Sequence, residues 1–424
     1  MFIFLIFLIL LIIGVPIGFS LVVSSVVFIL HTGGLELMSM AAQRIYSGLT
    51  GFTLLAIPFF LFAGLLMNTG GVSRRIFNFA SALVGHITGG LGHVNVLASM
   101  IFAGMSGSAV ADAAGLGAIE IQAMKDEGFD PGFSAAITAA SSTIGPVIPP
   151  SIPMVLFAGL TGTSVGRMFL GGIVPGLIMG FGMILVVYFT AKKRKYPVRP
   201  KASFRQVVHA FLDALPSLMM PVILLVGIFG GFFTPTEAAA VASIYAFILG
   251  AVVYKEIKPK DLLSMLKETL RGTIQVMSVI GPAALFGWLL AYQKVPEAII
   301  ETLLTLTQNK WIILLMIQAI CLVLGCFMEG LSILVLTIPV IMPLANTYGI
   351  DLVHLGVIMT LNTMVGVITP PVGMCLYPAA SLAKIPLHVL IKEIWVYIIA
   401  LIIILVILAL VPPLVTFVPT FFMG

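Results

Sequence analysis

Long apolar stretches separated by short polar interruptions dominate this chain. Apolar segments run over about 2–30, 52–68, 131–161 and 167–190 in the first half, and over about 209–231, 236–254, 272–292, 351–383 and 395–411 in the second. Each is long enough, as a helix, to cross a hydrocarbon layer of about 30 Å. Two further stretches are interrupted at a polar tip. Residues 76–126 hold glycine-rich pieces around Gly104-Met105-Ser106-Gly107-Ser108, and 310–346 turns near Met328-Glu329-Gly330. Both read as re-entrant helical hairpins.

Two of the apolar segments carry an anomaly that a continuous helix cannot absorb. Ser141-Ser142-Thr143-Ile144-Gly145-Pro146-Val147-Ile148-Pro149-Pro150 and Asn362-Thr363-Met364-Val365-Gly366-Val367-Ile368-Thr369-Pro370-Pro371 collect hydroxyls, glycine and proline in mid-segment. Each proline removes an N–H, and glycine loosens the backbone, so carbonyls lose their helical partners. In a bilayer such groups persist only inside protein or beside a wet cavity. Broken helices at matching places in two halves point to a transporter's ion and substrate site. The competing reading is two proline kinks made for packing, with the hydroxyls bonded back to their own helix.

The breaks do match. An offset of 221 (370 − 149) superposes Pro149-Pro150 on Pro370-Pro371, Gly145 on Gly366, Asp130 on Asp351 and Gly104 on Gly325. Near the start an offset of 219 pairs Pro16, Ser24 and Phe28 with Pro235, Ser243 and Phe247. A duplicated unit follows, with halves 1–195 and 196–424. Charge orients the copies. Lys192-Lys193-Arg194-Lys195 ends the first half, whereas 413–424 has no basic residue. Conversely, 255–271 carries Lys255, Lys258, Lys260, Lys267 and Arg271, and its counterpart only Arg44. Basic loops mark the cytoplasmic side, so equivalent ends face opposite sides and the repeats are inverted. The segment at 209–231 supplies the extra crossing.

Composition agrees. With 60% hydrophobic and 9% charged residues and a mean hydropathy of +1.19, the chain is an all-α polytopic membrane protein and not a soluble domain. The N-terminus has no basic residue before its apolar run and reads as a retained helix. Cys321, Cys326 and Cys375 lack metal-ligand spacing and read as small apolar residues. The net charge of +5 sits in short loops, so no nucleic-acid surface is implied.

Sodium, a hard cation, takes oxygen ligands, and a broken helix offers carbonyls at a negative dipole end. Ser141, Ser142, Thr143 and Gly145 form one candidate ligand set; Asn362, Thr363, Gly366 and Thr369 form the other. Ser106 and Ser108, among small residues, expose N–H groups suited to a carboxylate. Asp112, Glu120, Glu237 and Glu329 are ionisable groups in or beside apolar segments, where charge marks function; Glu237, in Thr234-Pro235-Thr236-Glu237, reads better as a helix cap. Ser106, Ser108, Asp112, Pro149, Pro150 and Glu329 are the candidates to surround the substrate. Gly104-Met105-Ser106-Gly107 also fits the short pattern of an intramembrane serine protease, for which His86, His93 or His354 would have to serve as base. That pattern explains neither the duplication nor the breaks.

Taken together, Gly104 to Asp112, Ser141 to Ser151, Phe233 to Ala238 and Ile368 to Gly373 resemble the large membrane subunit of tripartite ATP-independent periplasmic (TRAP) transporters, across essentially the whole chain. The resemblance implies a sodium-driven importer in a bacterial inner membrane, and no enzyme. A periplasmic binding protein would deliver an organic acid, such as sialic acid or a C4-dicarboxylate, to this chain and a separate small four-helix subunit. It implies an elevator-type fold, with about 76–165 and 295–385 moving against the remaining spans, and at least two co-transported sodium ions. A stand-alone sodium/anion symporter of the related elevator fold is the alternative.

Overall fold

The computed structural model describes residues 2–32 and 35–424, with the side chains of Leu35, Glu36 and Ser106 excepted. All regular structure among the described residues is helical. The N-terminal apolar stretch is not one span. Gly14, at φ +89°, and Pro16 divide it into α1 (Phe2–Ile12) and α2 (Ile17–His31), because proline has no N–H to continue the ladder. After α3 (Leu35–Leu49), a 3-10 turn at Phe52–Leu55 leads into α4 (Ala56–Thr69), and Gly71 turns the chain into α5 (Val72–Val84).

The first interrupted stretch is a hairpin of α6 (Gly90–Ser106) and α7 (Ala109–Asp126). Gly107, at φ +60°, makes its tip, and the Ser108 hydroxyl caps α7 by accepting from the Ala111 N–H. Next, Asp130 caps α8 (Pro131–Ser141) through the Phe133 N–H at 3.0 Å. A 3-10 turn at Ser142–Ile144 ends the helical bonding, and α9 (Ile152–Thr161) starts afresh where Ser151 accepts from the Met154 N–H at 3.2 Å. The half closes with α10 (Val165–Arg194).

The second half opens with α11 (Phe204–Phe229), capped reciprocally by Ser203 and Gln206. Thr234 and Glu237 form the same kind of box on α12 (Pro235–Phe247), so Glu237 is a cap. A π-helical turn, Ile248–Val253, follows it. There follow α13 (Pro259–Tyr292), α14 (Val295–Leu306), α15 (Lys310–Gly325), α16 (Gly330–Thr347), α17 (Leu352–Gly366), α18 (Leu376–Ala383), α19 (Leu387–Leu410) and α20 (Pro413–Met423). Seven described helices are long and apolar enough to cross a membrane: α4 with its preceding turn, α10, α11, α12 with its π-turn, α13, α16 and α19.

The duplication is visible in these bounds. Adding 221 to α7 gives 330–347, the limits of α16, and adding it to Pro131 gives Leu352, the start of α17. Asp351 caps α17 as Asp130 caps α8, and the Pro149-Pro150 and Pro370-Pro371 bonds are both cis. The copies interlock: α9 packs on α16 and α17, while α18 packs on α7 and α8. Each resumed helix therefore lies against the other copy's hairpin. Around this unit α12 packs on α4, and α13 packs on α2, α3, α4 and α16.

Candidate functional site

Both hairpins reverse direction inside the protein, and both reversals face one cavity of about 400 Å³. Gly107 to Ala111 of the first tip and Glu329 to Leu331 of the second line it, with Pro146 from the first break and Met364 and Val367 from the second. The opposite wall is made by α4, through Gly64 and Asn68, and by α13, through Glu268, Thr269, Gly272 and Gln275. On α13 these residues recur at one-turn and two-turn spacing, the stripe of a single helix face.

The tips press directly on the breaks. A Cβ on Gly107 would stand 3.2 Å from the Pro150 carbonyl oxygen, and one on Gly104 would stand 3.4 Å from that of Pro149. In the second half a Cβ on Gly330 would stand 3.0 Å from the Thr363 Cβ. Glycine at 330 thus lets the hairpin backbone lie on a proposed ligand. Asp112, in the first turn of α7, is buried, and a Cβ on Gly145 would collide with its Oδ2.

The cavity's described walls carry two carboxylates, Glu268 and Glu329, and no lysine, arginine or histidine. Positive potential comes from the backbone instead. The first turns of α7, α9 and α16 all reach the cavity, through Ala109 to Ala111, Ile152 and Pro153, and Gly330 and Leu331. A helix's first N–H groups lack intrahelical partners and attract anions. The C-terminal ends of α8 and α17, where carbonyls are in excess, lie at the breaks. Anion-seeking and cation-seeking helix ends are therefore adjacent.

At the first break Ser141 Oγ donates to Asn95 Oδ1 of α6, while the other hydroxyls at the breaks bond back to carbonyls of their own helices. Ser142 Oγ donates to Ala139 O at 2.8 Å, Thr143 Oγ1 to Ala140 O at 2.6 Å, Thr363 Oγ1 to Thr360 O at 2.8 Å, and Thr369 Oγ1 to Val365 O at 2.7 Å. This spends each proton and leaves lone pairs for a cation. Asn362 Nδ2 donates to Gln318 O and Oε1, both at 2.8 Å, while its buried Oδ1 accepts nothing from the described residues. Gly366 lies against Gly325. Among the described residues no group of three or more His, Cys, Asp or Glu could hold a metal ion. A donor set of hydroxyl, amide and carbonyl oxygens fits a hard cation and not a soft one.

Of the residues expected around the substrate, Ser108 and Glu329 line the cavity. Asp112, Pro149 and Pro150 stand behind the tips, and the Ser106 side chain lies outside the described residues. Sequence reasoning missed Asn68, Glu268 and Gln275. Asn68 and Gln275 were visible as polar side chains in apolar stretches, whereas Glu268 lies in the charged stretch 255–271, most of which α13 incorporates; Gln275 Nε2 donates to Glu329 Oε2 at 3.3 Å. Among the described residues His93 and His354 are hydrogen-bonded to carbonyls, those of Thr88 and Leu408, and not to a serine. His93, in the first turn of α6, lies about 20 Å from its Ser106 end at 1.5 Å per residue, and His86 precedes that helix.

Known proteins bear on this geometry. The family model for the tripartite ATP-independent periplasmic transporter, DctM component, matches residues 4–414. The sialic acid TRAP transporter large permease protein SiaM of Vibrio cholerae is 44% identical, over 97% of this chain and 96% of that one. The C4-dicarboxylate TRAP transporter large permease protein DctM of the same organism is 37% identical over 97% and 96%. Among solved structures, the YdaH transporter of Alcanivorax borkumensis superposes with a TM-score of 0.66 at 16% identity, covering 88% of this chain and 87% of that one, a likeness of fold. A duplicated, multi-pass helical protein with paired hairpins and paired helix breaks around one cavity is a transport protein rather than an enzyme, and this chain belongs to the DctM component family of tripartite ATP-independent periplasmic transporters.

Proposed function

We propose that the chain is the substrate-moving subunit of a sodium-coupled, binding-protein-dependent importer of an organic acid, of the sialic-acid or C4-dicarboxylate kind, in a bacterial inner membrane. The observation that carries this reading is the meeting of three helix N-termini and two helix breaks at one cavity whose described walls hold no basic side chain. A carboxylate there needs a positive partner. Helix ends supply part of it, and sodium at Ser142, Thr143 and Gly145, and at Asn362, Thr363, Gly366 and Thr369, supplies the rest. Ser106, Ser108 and Glu329 shape the acid's pocket, with Asp112, Pro149 and Pro150 behind it.

Coupling follows from contact between tips and breaks. An ion at a break fixes oxygens on which Gly107 or Gly330 rests, so the ordered tip binds substrate better than the empty one. The residues at about 76–165 and 295–385 then move as an elevator against α4, α11, α12 and α13. A small four-helix membrane subunit and a periplasmic substrate-binding protein complete the assembly. The test is uptake of radiolabelled acid into proteoliposomes holding this chain with its small subunit, with and without the binding protein. Uptake requiring both inward sodium and the binding protein supports the reading. Uptake without the binding protein favours a stand-alone symporter, and uptake indifferent to sodium refutes the coupling.

A further inference from the structure

Beneath the first break lies a buried polar cluster outside the cavity described above. Asn95 on α6 donates one amide hydrogen to Glu120 Oε2 on α7 and the other to Thr138 Oγ1 on α8, both at 2.7 Å. Its Oδ1 accepts from Ser141 Oγ at 2.7 Å, and Ser141 in turn accepts from Ser99 Oγ at 3.0 Å. Ser99 is 2% exposed, Glu120 and Thr138 are 1%, and Asn95 and Ser141 are 0%. Glu120 Oε1 has no hydrogen-bond partner among the described residues. Burying a carboxyl group incompletely bonded is costly.

The second half shows that the fold does not require this cost. Ile341 and Met359 stand at the places of Glu120 and Thr138 (120 + 221 and 138 + 221), and both are buried. There Gln318 of α15 meets the break through Asn362 of α17. At the places of Glu120 and Thr138 the first copy thus carries polar groups where its duplicate packs hydrocarbon, while Asn362 stands at the place of Ser141.

We infer that Glu120 and Asn95 are positioning residues that set the cation affinity of the first break. The inference rests on the sodium reading above. An amide giving both hydrogens to acceptors on α7 and α8 must turn its oxygen to Ser141, so the three helices fix one another's rotation. Ser141 is then committed on its donor side and one acceptor side, which makes it an anchor. The ion's oxygens come from the turn it anchors, Ser142 to Gly145. Removing the Glu120 oxygen frees the amide to turn over and the ligands to drift. Outer partners that orient metal ligands characteristically shift affinity about tenfold or more.

The experiment measures the sodium half-saturation and maximal rate of uptake in the same proteoliposomes, after sodium dependence is established for the unaltered protein. Its absence there would defeat the sodium reading itself. Glu120→Ile, the side chain of the duplicate, is expected to raise the half-saturation about tenfold while the maximal rate at saturating sodium is kept. Glu120→Gln retains an oxygen for Asn95 and is expected to restore the unaltered value. Thr138→Val, nearly the same shape, serves if the isoleucine variant does not fold, and shifts the value in the same direction. An unchanged half-saturation in folded Thr138→Val and Glu120→Ile, or a loss of thermal stability alone, would overturn the proposal. So would a glutamine variant as impaired as the isoleucine one, since charge would then matter and not the hydrogen bond.

Discussion

Gly325 on α15 and Gly366 on α17 touch backbone to backbone: a Cβ on Gly325 would stand 2.7 Å from the Cα of Gly366, and the reverse distance is 2.6 Å. No real Cβ tolerates such an approach to backbone. Gly366→Ala must therefore part the second hairpin from the second break. Overpacking of this kind costs about 1–3 kcal/mol, and the expected result is a lowered melting temperature in detergent together with loss of uptake. A Gly366→Ala protein as stable and active as the original would mean that the two helices are not held together in the working cycle.

Glu329 and Gln275 join the second tip to α13 across the cavity. If the hairpins move against α13, this contact must break once per cycle. Gln275→Ala is expected to loosen the tip and raise the substrate half-saturation severalfold, a loss of about 1 kcal/mol for one long, exposed hydrogen bond. Glu329→Ala is expected to do the same, and the double variant no more than either alone. Additive losses in that double-mutant cycle would show that the two residues act separately.

A cluster at the start of α5 gives a prediction about stability instead of transport. Glu256 receives Arg74 at 2.8 Å and Arg75 at 3.0 Å, and the Arg75 guanidinium stacks 3.7 Å from the Tyr254 ring centroid. Gly71, left-handed at φ +76°, leaves room for that carboxylate. Glu256→Gln leaves Arg75, whose side chain is only 14% exposed, with Asp213 at 3.4 Å. The expected loss is about 1 kcal/mol or less because the cluster is partly solvated, read as a small fall in melting temperature at low salt that shrinks at high salt.

Much of the architecture was legible because proline, glycine and charge act locally. Pro146 and Pro149-Pro150 cannot continue a helix, and the chain does break there. Met328-Glu329-Gly330 does turn between two helices. The misreading at 2–30 has the same cause seen from the other side. Hydropathy ran through Gly14 and Pro16, but the missing N–H did not. What could not be read was the partner of each polar side chain. Nothing local says that Gln275 faces Glu329, or that Glu120 reaches Asn95, because those pairs depend on how separate helices pack. Nor does sequence place the cavity wall, which comes from α4 and α13, far along the chain from either break.

The most direct test of the account is the sodium dependence of uptake in Ser142→Ala and Thr363→Ala. Each substitution removes one oxygen at one break, whose hydroxyl donates to a carbonyl of its own helix, at Ala139 O and Thr360 O. Losing one charge-assisted contact of about 1.5 kcal/mol predicts a half-saturation for sodium raised roughly tenfold in either variant, with the protein folded and uptake restored at high sodium. Unshifted sodium dependence in both, or uptake driven as well by a proton gradient alone, would contradict it and leave the two breaks as features of packing.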